Sequence, residues 1–517
     1  MHNNMIGVLV NDEAMQAWQV DACNRLINIE KVIFFIQIKD PAKAGRQDNF
    51  PFLLKPVLWF EKKILRSNAD CLKVSSVKQF TGFEFYNDND WPQKKMSEAG
   101  QSQVDYIISF ASLDFNELDL YAKKFNTKII QLYFGEQFES LPLRKISHAV
   151  INKEALMQVS IHVQHPGGKR DLVHATFCSV ENSLTIQAAN TILAKCSVLF
   201  ERFFIGKYNE IKQPVETIIT HTHKRNYFSF YFSFIYYLLD KFFFKKQWVL
   251  LYNLSGNKTY KDVNSFSQLK ISKTKFQADP FVVSASGIHY IFFEELEFKN
   301  ERGYVSVMEI TTDGKTTVPV KIIEASYHLS FPYIFESEGV YYMIPETMEA
   351  AKVQLYVATQ FPYKWELKMD LLTGIECVDT IVQKVDDTWW MFFSKKPAQH
   401  ASINEEIHAY YSDELCSTEW KPHPMNPVIS DARCGRNAGK LSTKDGYLIR
   451  FSQYSGGYYG KAITVSKIVT LTKTDYREEI IETIYPDKRK GIYNLHTFNA
   501  TKDIMVSDAL RRIRRFF

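Results

Sequence analysis

The stretch that decides the fold is QADPFVVSASGIHYIFFEE, Gln277 to Glu295. A polar Asp-Pro opens it, a short apolar strand follows, a Ser/Gly turn interrupts, and an aromatic strand ends in two acids. The same grammar returns as SFPYIFESEGVYYMIPE (Ser330 to Glu346) and as CVDTIVQKVDDTWWMFFS (Cys377 to Ser394). A looser copy is RNAGKLSTKDGYLIRFS (Arg436 to Ser452), and a fifth is LHTFNATKDIMVSD (Leu495 to Asp508). Pro280, Pro332, Thr380, Ala438 and Thr497 mark comparable points, about 50 to 60 residues apart. Several short strands in a unit of that length are what a β-propeller blade leaves in a sequence. The polar residue that starts each innermost strand then faces the axis, and five such residues converge on one narrow channel.

The rest of the chain is of a different kind. Met5 to Val10, Lys31 to Ile38, Val104 to Ala111 and Lys128 to Phe134 are short apolar runs, separated by helix-patterned stretches such as FNELDLYAKKF. Strands without alternation, spaced by helices, predict a parallel sheet covered on both faces. The expected fold class is therefore multidomain. An α/β domain spans residues 1–204, closing with a helix near Glu181 to Phe204, and an aromatic and basic connector spans 205–246. An all-β five-bladed propeller spans 247–509, and a basic tail spans 510–517. QWVLLYNL, at the start of the propeller, is expected to complete the last blade. Residues 40 to 103 read as an insertion or loops.

A chain of 517 residues with 45% hydrophobic and 23% charged content is that of a folded protein of two or three domains. A net charge of +5 does not argue for nucleic acid, and none is expected as a partner. Seven cysteines without a C-x-x-C pair give neither a disulfide framework nor a zinc site. A reducing, cytoplasmic setting is expected, with no metal and no cofactor. The N-terminus has no basic region before its apolar run and reads as a first buried strand rather than a leader. The apolar segment Tyr227 to Leu239, after the basic HTHKR of 221–225, falls short of the ~20 residues that span a bilayer. It is either a buried docking element or an interfacial one resting on an anionic inner membrane face, and the terminal LRRIRRFF tilts toward the latter.

Two family resemblances join this reading. ADPF, YIFFEE, GYVSVMEI, YHLSFPYIF, YYMIPE, LYVATQFPYKW and VDTIVQKVDDTWWMFF resemble the N-terminal domain of glucosamine inositolphosphorylceramide transferases, over about residues 247 to 460. More distantly, they are similar to the five-bladed glycoside hydrolase clan of arabinanases, xylosidases and invertases. The order VDYIISFA, KIIQLYFGEQFESLP, VSIHVQHPGGKRDLVHATF and a closing helix resembles the formyltransferase family, over residues 5 to 204. The positions matching that family's catalytic Asn, His and Asp carry Gln131, Tyr133 and Lys169, which implies a catalytically silent relative.

Glycosyl transfer or cleavage needs a carboxylate on each side of the anomeric carbon. The clan resemblance implies Asp279 as base or nucleophile and Asp379 as the acid's modulator. Glu346 and Glu376 compete for the acid role. Glu294 and Glu295 end the first blade where Glu346 ends the second, and Glu295 is assigned to substrate contact. His328, Arg433, Arg436 and His496 precede inner strands and are expected to bind substrate, the guanidinium groups holding a phosphate. The plainer alternative is that Asp279 and Asp379 cap strand starts and that the basic groups form a salt-bridge network. The leading expectation is an enzyme of polysaccharide or glycolipid biosynthesis, acting on carbohydrate or on sugar-phosphate or lipid-linked sugar. A non-catalytic binding scaffold for a partner glycosyltransferase is the alternative, and a formyltransferase acting on an amino sugar is the third.

Overall fold

A computed structural model of the chain describes residues 5–10, 14–29, 32–38, 50–65, 70–76, 84–87, 104–111, 113–135, 141–180, 184–206, 227–254, 259–270, 272, 274–300 and 302–514. It divides into two compact units, Met1–Phe234 with Pro397–Ser402, and Ile235–Lys396 with Ile403–Phe517. The basic HTHKR segment lies outside the described residues.

In the first unit seven strands form one sheet, in the order 84–87, 32–37, 5–10, 104–109, 128–134, 156–164, 170–179. The pairings among the first five are parallel. The last two strands run antiparallel to their neighbours, so the sheet is mixed where a parallel one was expected. Lys169 sits in the turn of that closing hairpin, which is why its strands need no crossover helix. Within 40–103, read as an insertion or loops, the described residues include the helix Lys55–Lys63 and the edge strand Glu84–Asn87. The helix Phe115–Phe125 starts at a capping box, Asp114 accepting from the Asn116 and Glu117 N–H groups while Glu117 reaches back. The closing helix is Thr185–Phe204. Its first N–H groups, of Thr185 and Ile186, donate to the buried Glu61 carboxylate at 2.9 and 2.7 Å. A negative charge at a helix N-terminus is stabilised there.

The second unit is the five-bladed propeller. Strands 275–285, 288–297, 303–310 and 320–323 make the first blade, and 330–337, 340–346, 352–360 and 364–373 the second. The third holds 377–385, 388–395, 406–412 and 421–422, and the fourth 442–444, 447–454, 462–471 and 476–484. The last blade takes strands from both ends of the unit, in the order 267–268, 244–253, 505–514, 498–500. The strand that contains QWVLLYNL, Phe244–Asn253, pairs antiparallel with Met505–Arg514 through its whole length. Leu510–Arg514, expected as a tail, therefore belongs to a strand, because each of its residues has a partner in Phe244–Trp248. The described part of the expected connector is Ile205 and Gly206, the helix Tyr227–Phe243 and the first residues of that strand.

The aromatic side chains hold the blades together. Phe281 meets Phe331 edge-on at 4.8 Å between ring centroids. Trp389 and Trp390, neighbours on the second strand of the third blade, are both buried, since adjacent blades cover both faces of its sheet. Tyr341 and Tyr342 stack on Phe361 and Phe335, so they serve packing too.

Candidate functional site

Each of the first three inner strands breaks its ladder at the same place. The register shifts between Ala278 and Phe281, between Ser330 and Tyr333, and between Val378 and Ile381. At each break a non-glycine residue has positive φ: Asp279 at 51°, Phe331 at 43° and Asp379 at 52°. A bulge bends its strand and re-aims a side chain, and a left-handed Phe is a strained conformation that its surroundings must hold. Here Phe331 donates its N–H to Asp279 Oδ2 at 3.3 Å while its ring is buried. The strain is thus coupled to the acid in the neighbouring blade.

Around these bulges the charges interlock. His496 lies between two carboxylates, Nε2 3.1 Å from Asp279 Oδ1 and Nδ1 2.7 Å from Asp508 Oδ2. Asp508 also accepts the backbone N–H groups of Asp279, His496 and Thr497 at 2.9, 3.2 and 3.0 Å. Trp248 stacks on the imidazole at 3.9 Å between ring centroids. Arg436 grips Asp379 with both Nε and an Nη, at 2.6 and 3.2 Å, and donates to Asn404. Gln453 donates to the same Asp379 carboxylate at 3.1 Å. Tyr459 presents its ring to Arg436 and its edge to His496. The turn Tyr454 to Gly460 therefore abuts the site.

Burial and charge divide the acids. Burial alone raises the Asp279 carboxyl, but the charge and contact of His496, the Arg436 charge and the Phe331 N–H outweigh it, and it is held below the usual carboxylate range. Glu294 is pushed up to about 7, chiefly by burial, against the His328 contact and with the Asp279 charge adding to the rise. Asp379 is pushed up to about 6 by burial, which the Arg436 charge opposes. Burial pulls His496 down, yet the Asp508 and Asp279 carboxylates raise it to about 10, so the ring is an imidazolium at neutral pH. Asp279, His496 and Asp508 offer ligand atoms within 4.8 Å of one another. A cation there would have to displace the imidazolium proton, so the trio fits an ion pair better than a metal.

Of the residues singled out in the sequence, Asp279, Asp379, Arg436 and His496 meet in this cluster. Glu346 and His328 border it. The Glu346 carboxylate accepts from Ser330 Oγ and from the Met348 N–H, and its charge acts on Asp379. Three assignments are corrected. Glu295 is held by Lys275, Tyr304, Ser306 and Gln277 within its own blade. Its neighbour Glu294 is the counterpart of Glu346, since Glu294 pairs with Ala278 as Glu346 pairs with Ser330, in each case just before the bulge. Arg433 is clamped on Asp431 two residues away, at 2.7 to 3.1 Å, rather than on the axial acids. Glu376 is exposed in the loop before its strand.

Two participants were missed altogether. Asp508 lies on a second strand, away from the strand starts that marked the others. Gly303 gave no signal beyond being a glycine. Its N–H donates to His328 Nδ1 at 3.0 Å, leaving Nε2 as the protonated nitrogen, 3.1 Å from Glu294 Oε1. A methyl group on Gly303 would lie 2.6 Å from the Leu329 carbonyl and 2.8 Å from both Glu294 and His328. Gly303→Ala is therefore expected to cost about 1–3 kcal/mol of propeller stability through overpacking, read as a lower urea midpoint. An unchanged midpoint would mean that the strand gives way freely.

In the first unit, Gln131 is buried with Nε2 donating to the Leu113 carbonyl, and Tyr133 is buried edge-on to His162. Lys169 is exposed beside Asp171, to which His165 also turns, at 2.8 Å. Burial pushes His162 down to about 4, so it is a neutral core imidazole.

The fold and site define a five-bladed propeller with an acid-rich, ion-paired axis, every blade contributing a side chain to it. Residues 263–504 match the family model described as glucosamine inositolphosphorylceramide transferase 1, N-terminal, and the propeller is similar to that domain. The curated relative of that name from Arabidopsis thaliana is 34% identical over 221 residues, 42% of this chain and 29% of its own. The one from Oryza sativa subsp. japonica is 31% identical over the same shares. The chain thus spans less than a third of the length of these relatives. Among solved structures, the GH43 protein BlXynB from Bacillus licheniformis is 17% identical over 39% of this chain and 42% of its own, with a TM-score of 0.31. Zg3597, a family 117 glycoside hydrolase from Zobellia galactanivorans, is 11% identical over 52% and 90%, with a TM-score of 0.35. The architecture rests on the strand pairing and not on these two likenesses.

Proposed function

We propose that the chain is a glycan-processing enzyme of polysaccharide or glycolipid biosynthesis, which transfers or cleaves a glycosidic bond at the propeller axis. The observation that carries this reading is the split between two buried carboxyls of one blade, Asp279 held ionised and Glu294 pushed up to about 7. Environments that drive two carboxyls apart assign an acid and a base. Glu294 would protonate the leaving oxygen, and Asp279 would act as base or nucleophile on the anomeric side. Glu346 adds negative charge that favours an oxocarbenium-like centre, whereas the Asp379 charge is met by Arg436. Similarity to the N-terminal domain of a family named for glucosamine and inositolphosphorylceramide supports an amino sugar on a lipid carrier.

The charge balance refines the substrate. Arg436 is paired to Asp379, Arg433 to Asp431, and the one His496 imidazolium is set against both Asp279 and Asp508. Among the described residues, Glu346 and one of that pair remain without a matching cation beside the Glu294 acid, so the axis stays acid-rich. Carboxylates accept from sugar hydroxyls and attract an ammonium group, whereas they repel phosphate. The sugar ring would enter the axis, and a phosphate-bearing carrier would remain outside. The first unit takes no catalytic part in this reading, since Gln131, Tyr133 and Lys169 offer no paired imidazole and carboxylate.

The test is turnover by the full chain of methyl glycosides of glucosamine, whose alkoxide leaving group departs only with a proton. Activity is expected to fall as pH rises through about 7, because the Glu294 acid must carry its proton. A rate that stays flat from pH 6 to 9, values taken about that midpoint, would remove Glu294 from the mechanism. A second reading is favoured by the saturation of Asp279, whose two oxygens already face His496 and the Phe331 N–H. In it, the axis binds sugar without turnover and presents it to a partner glycosyltransferase. Calorimetric binding of glucosamine without product release would select that reading.

A further inference from the structure

The helix Tyr227–Phe243 has no place in the chemistry above, and its surface is unusual. Phe228, Phe232, Ile235, Leu239 and Phe242 are all exposed, Phe228 by 82% and Phe232 by 67%. They recur at intervals of four, three, four and three residues, which places them on one stripe of an α-helix. Tyr236 and Phe243, also exposed, widen that stripe. No charged residue interrupts it. The helix is fixed from its other side. Phe230 and Phe234 are buried, and Phe234 meets Phe60 edge-on at 5.7 Å. Toward its end, Asp240 pairs with Arg512, which also donates to Tyr236 Oη at 3.1 Å.

Helices with an apolar face of this size are covered by something. The charges at the end of the helix identify the occupant. The strand that continues from it pairs Phe244 with Arg514, Lys246 with Arg512 and Gln247 with Arg511. Lys241, Lys246 and Arg514 thus lie near the helix's C-terminal end beside Arg512, which is met by Asp240, while Lys245 turns to the Phe298 ring and Arg511 to the Lys490 carbonyl. No helix among the described residues is long and apolar enough to cross a membrane. An apolar stripe that cannot span a bilayer, flanked by excess cationic charge, has the form of an element lying in the plane of an anionic lipid surface.

We propose that this helix docks the protein on anionic lipid, its Phe/Ile/Leu stripe entering the headgroup boundary and its flanking cations meeting lipid phosphates. Docking of this kind does not depend on the activity at the axis. The experiment is co-sedimentation of the full chain with phosphatidylserine-containing vesicles and with pure phosphatidylcholine vesicles. Binding is expected to the first, weakening as salt rises. The double variant Phe232→Ser, Leu239→Ser is expected to bind at least about tenfold more weakly, with an unchanged thermal midpoint because both side chains are exposed. Lys241→Gln with Lys246→Gln should lose the preference for anionic vesicles while keeping the fold. Equal binding by variants and wild type would overturn the proposal. So would a wild-type chain that ignores both vesicles and instead forms a dimer that the Phe232→Ser, Leu239→Ser variant cannot form, which would make a second copy the occupant.

Discussion

Asp508→Ala is expected to lower the stability of the propeller by about 3–5 kcal/mol, the usual cost of stripping one partner from a buried charge pair. The residue is wholly buried and accepts three backbone N–H groups, from Asp279, His496 and Thr497, besides facing the His496 ring. Truncation leaves those donors without an acceptor and the imidazolium with one carboxylate instead of two. Since folded domains are stable by only about 5–15 kcal/mol, the blade that closes the ring should unfold well before the rest of the chain loses its structure. Urea titration followed by the near-ultraviolet signal of Trp248, which stacks on His496, reads this directly. Asp508→Asn keeps one acceptor oxygen but turns an NH2 group toward N–H donors on its other side and removes the charge, so it should also be destabilised, by less than the alanine variant. If the alanine variant unfolds at the wild-type midpoint, the carboxylate is not what joins the last blade to the first.

The second large effect is on chemistry. Asp279→Asn keeps the shape of the side chain and an acceptor for the Phe331 N–H, but removes the charge that makes a base or nucleophile. Turnover of a methyl glucosaminide is expected to fall by roughly 10²- to 10⁴-fold, the range for losing a positioned acid or base. Binding of the sugar, measured by calorimetry, should change far less. The asparagine also relieves Glu294 of a neighbouring negative charge, one of the causes of its elevation, so any residual activity should lose its midpoint near 7 and shift it downward. Full activity in this variant would exclude the paired-carboxylate mechanism. Loss of binding together with loss of structure would instead show that Asp279 serves the fold, as its left-handed backbone and its contact with Phe331 allow.

The repeat was legible because each blade restarts with a polar residue ahead of an apolar strand, and Asp279, Asp379 and His496 stand at that point. Side chains defined by pairing across strands were not legible. Glu294 and Glu295 are adjacent, and a strand sends neighbours to opposite faces. The bulge after Ala278 then decides which of them lies level with Glu346, and nothing in the sequence announces a bulge. Arg433 and Arg436 looked equivalent until Asp431, two residues from the first, claimed it. In the first unit, the strand Glu84–Asn87 is too short and polar to stand out, and the strands flanking Lys169 mix polar with apolar residues (LMQVSIHVQ and RDLVHATFCS) although most of the first is buried. A pattern set by burial does not reveal strand direction.

The last blade draws on the first and last strands of the second unit, made roughly half a chain apart. The strand Phe244–Asn253 leaves the ribosome first and stays unpaired along one edge until Met505–Arg514 emerges. Growing chains hold an open edge for the whole interval, a known hazard for strands. His496 arrives only with that late segment, so nascent chains carry Asp279 without its paired imidazolium until the ring is sealed.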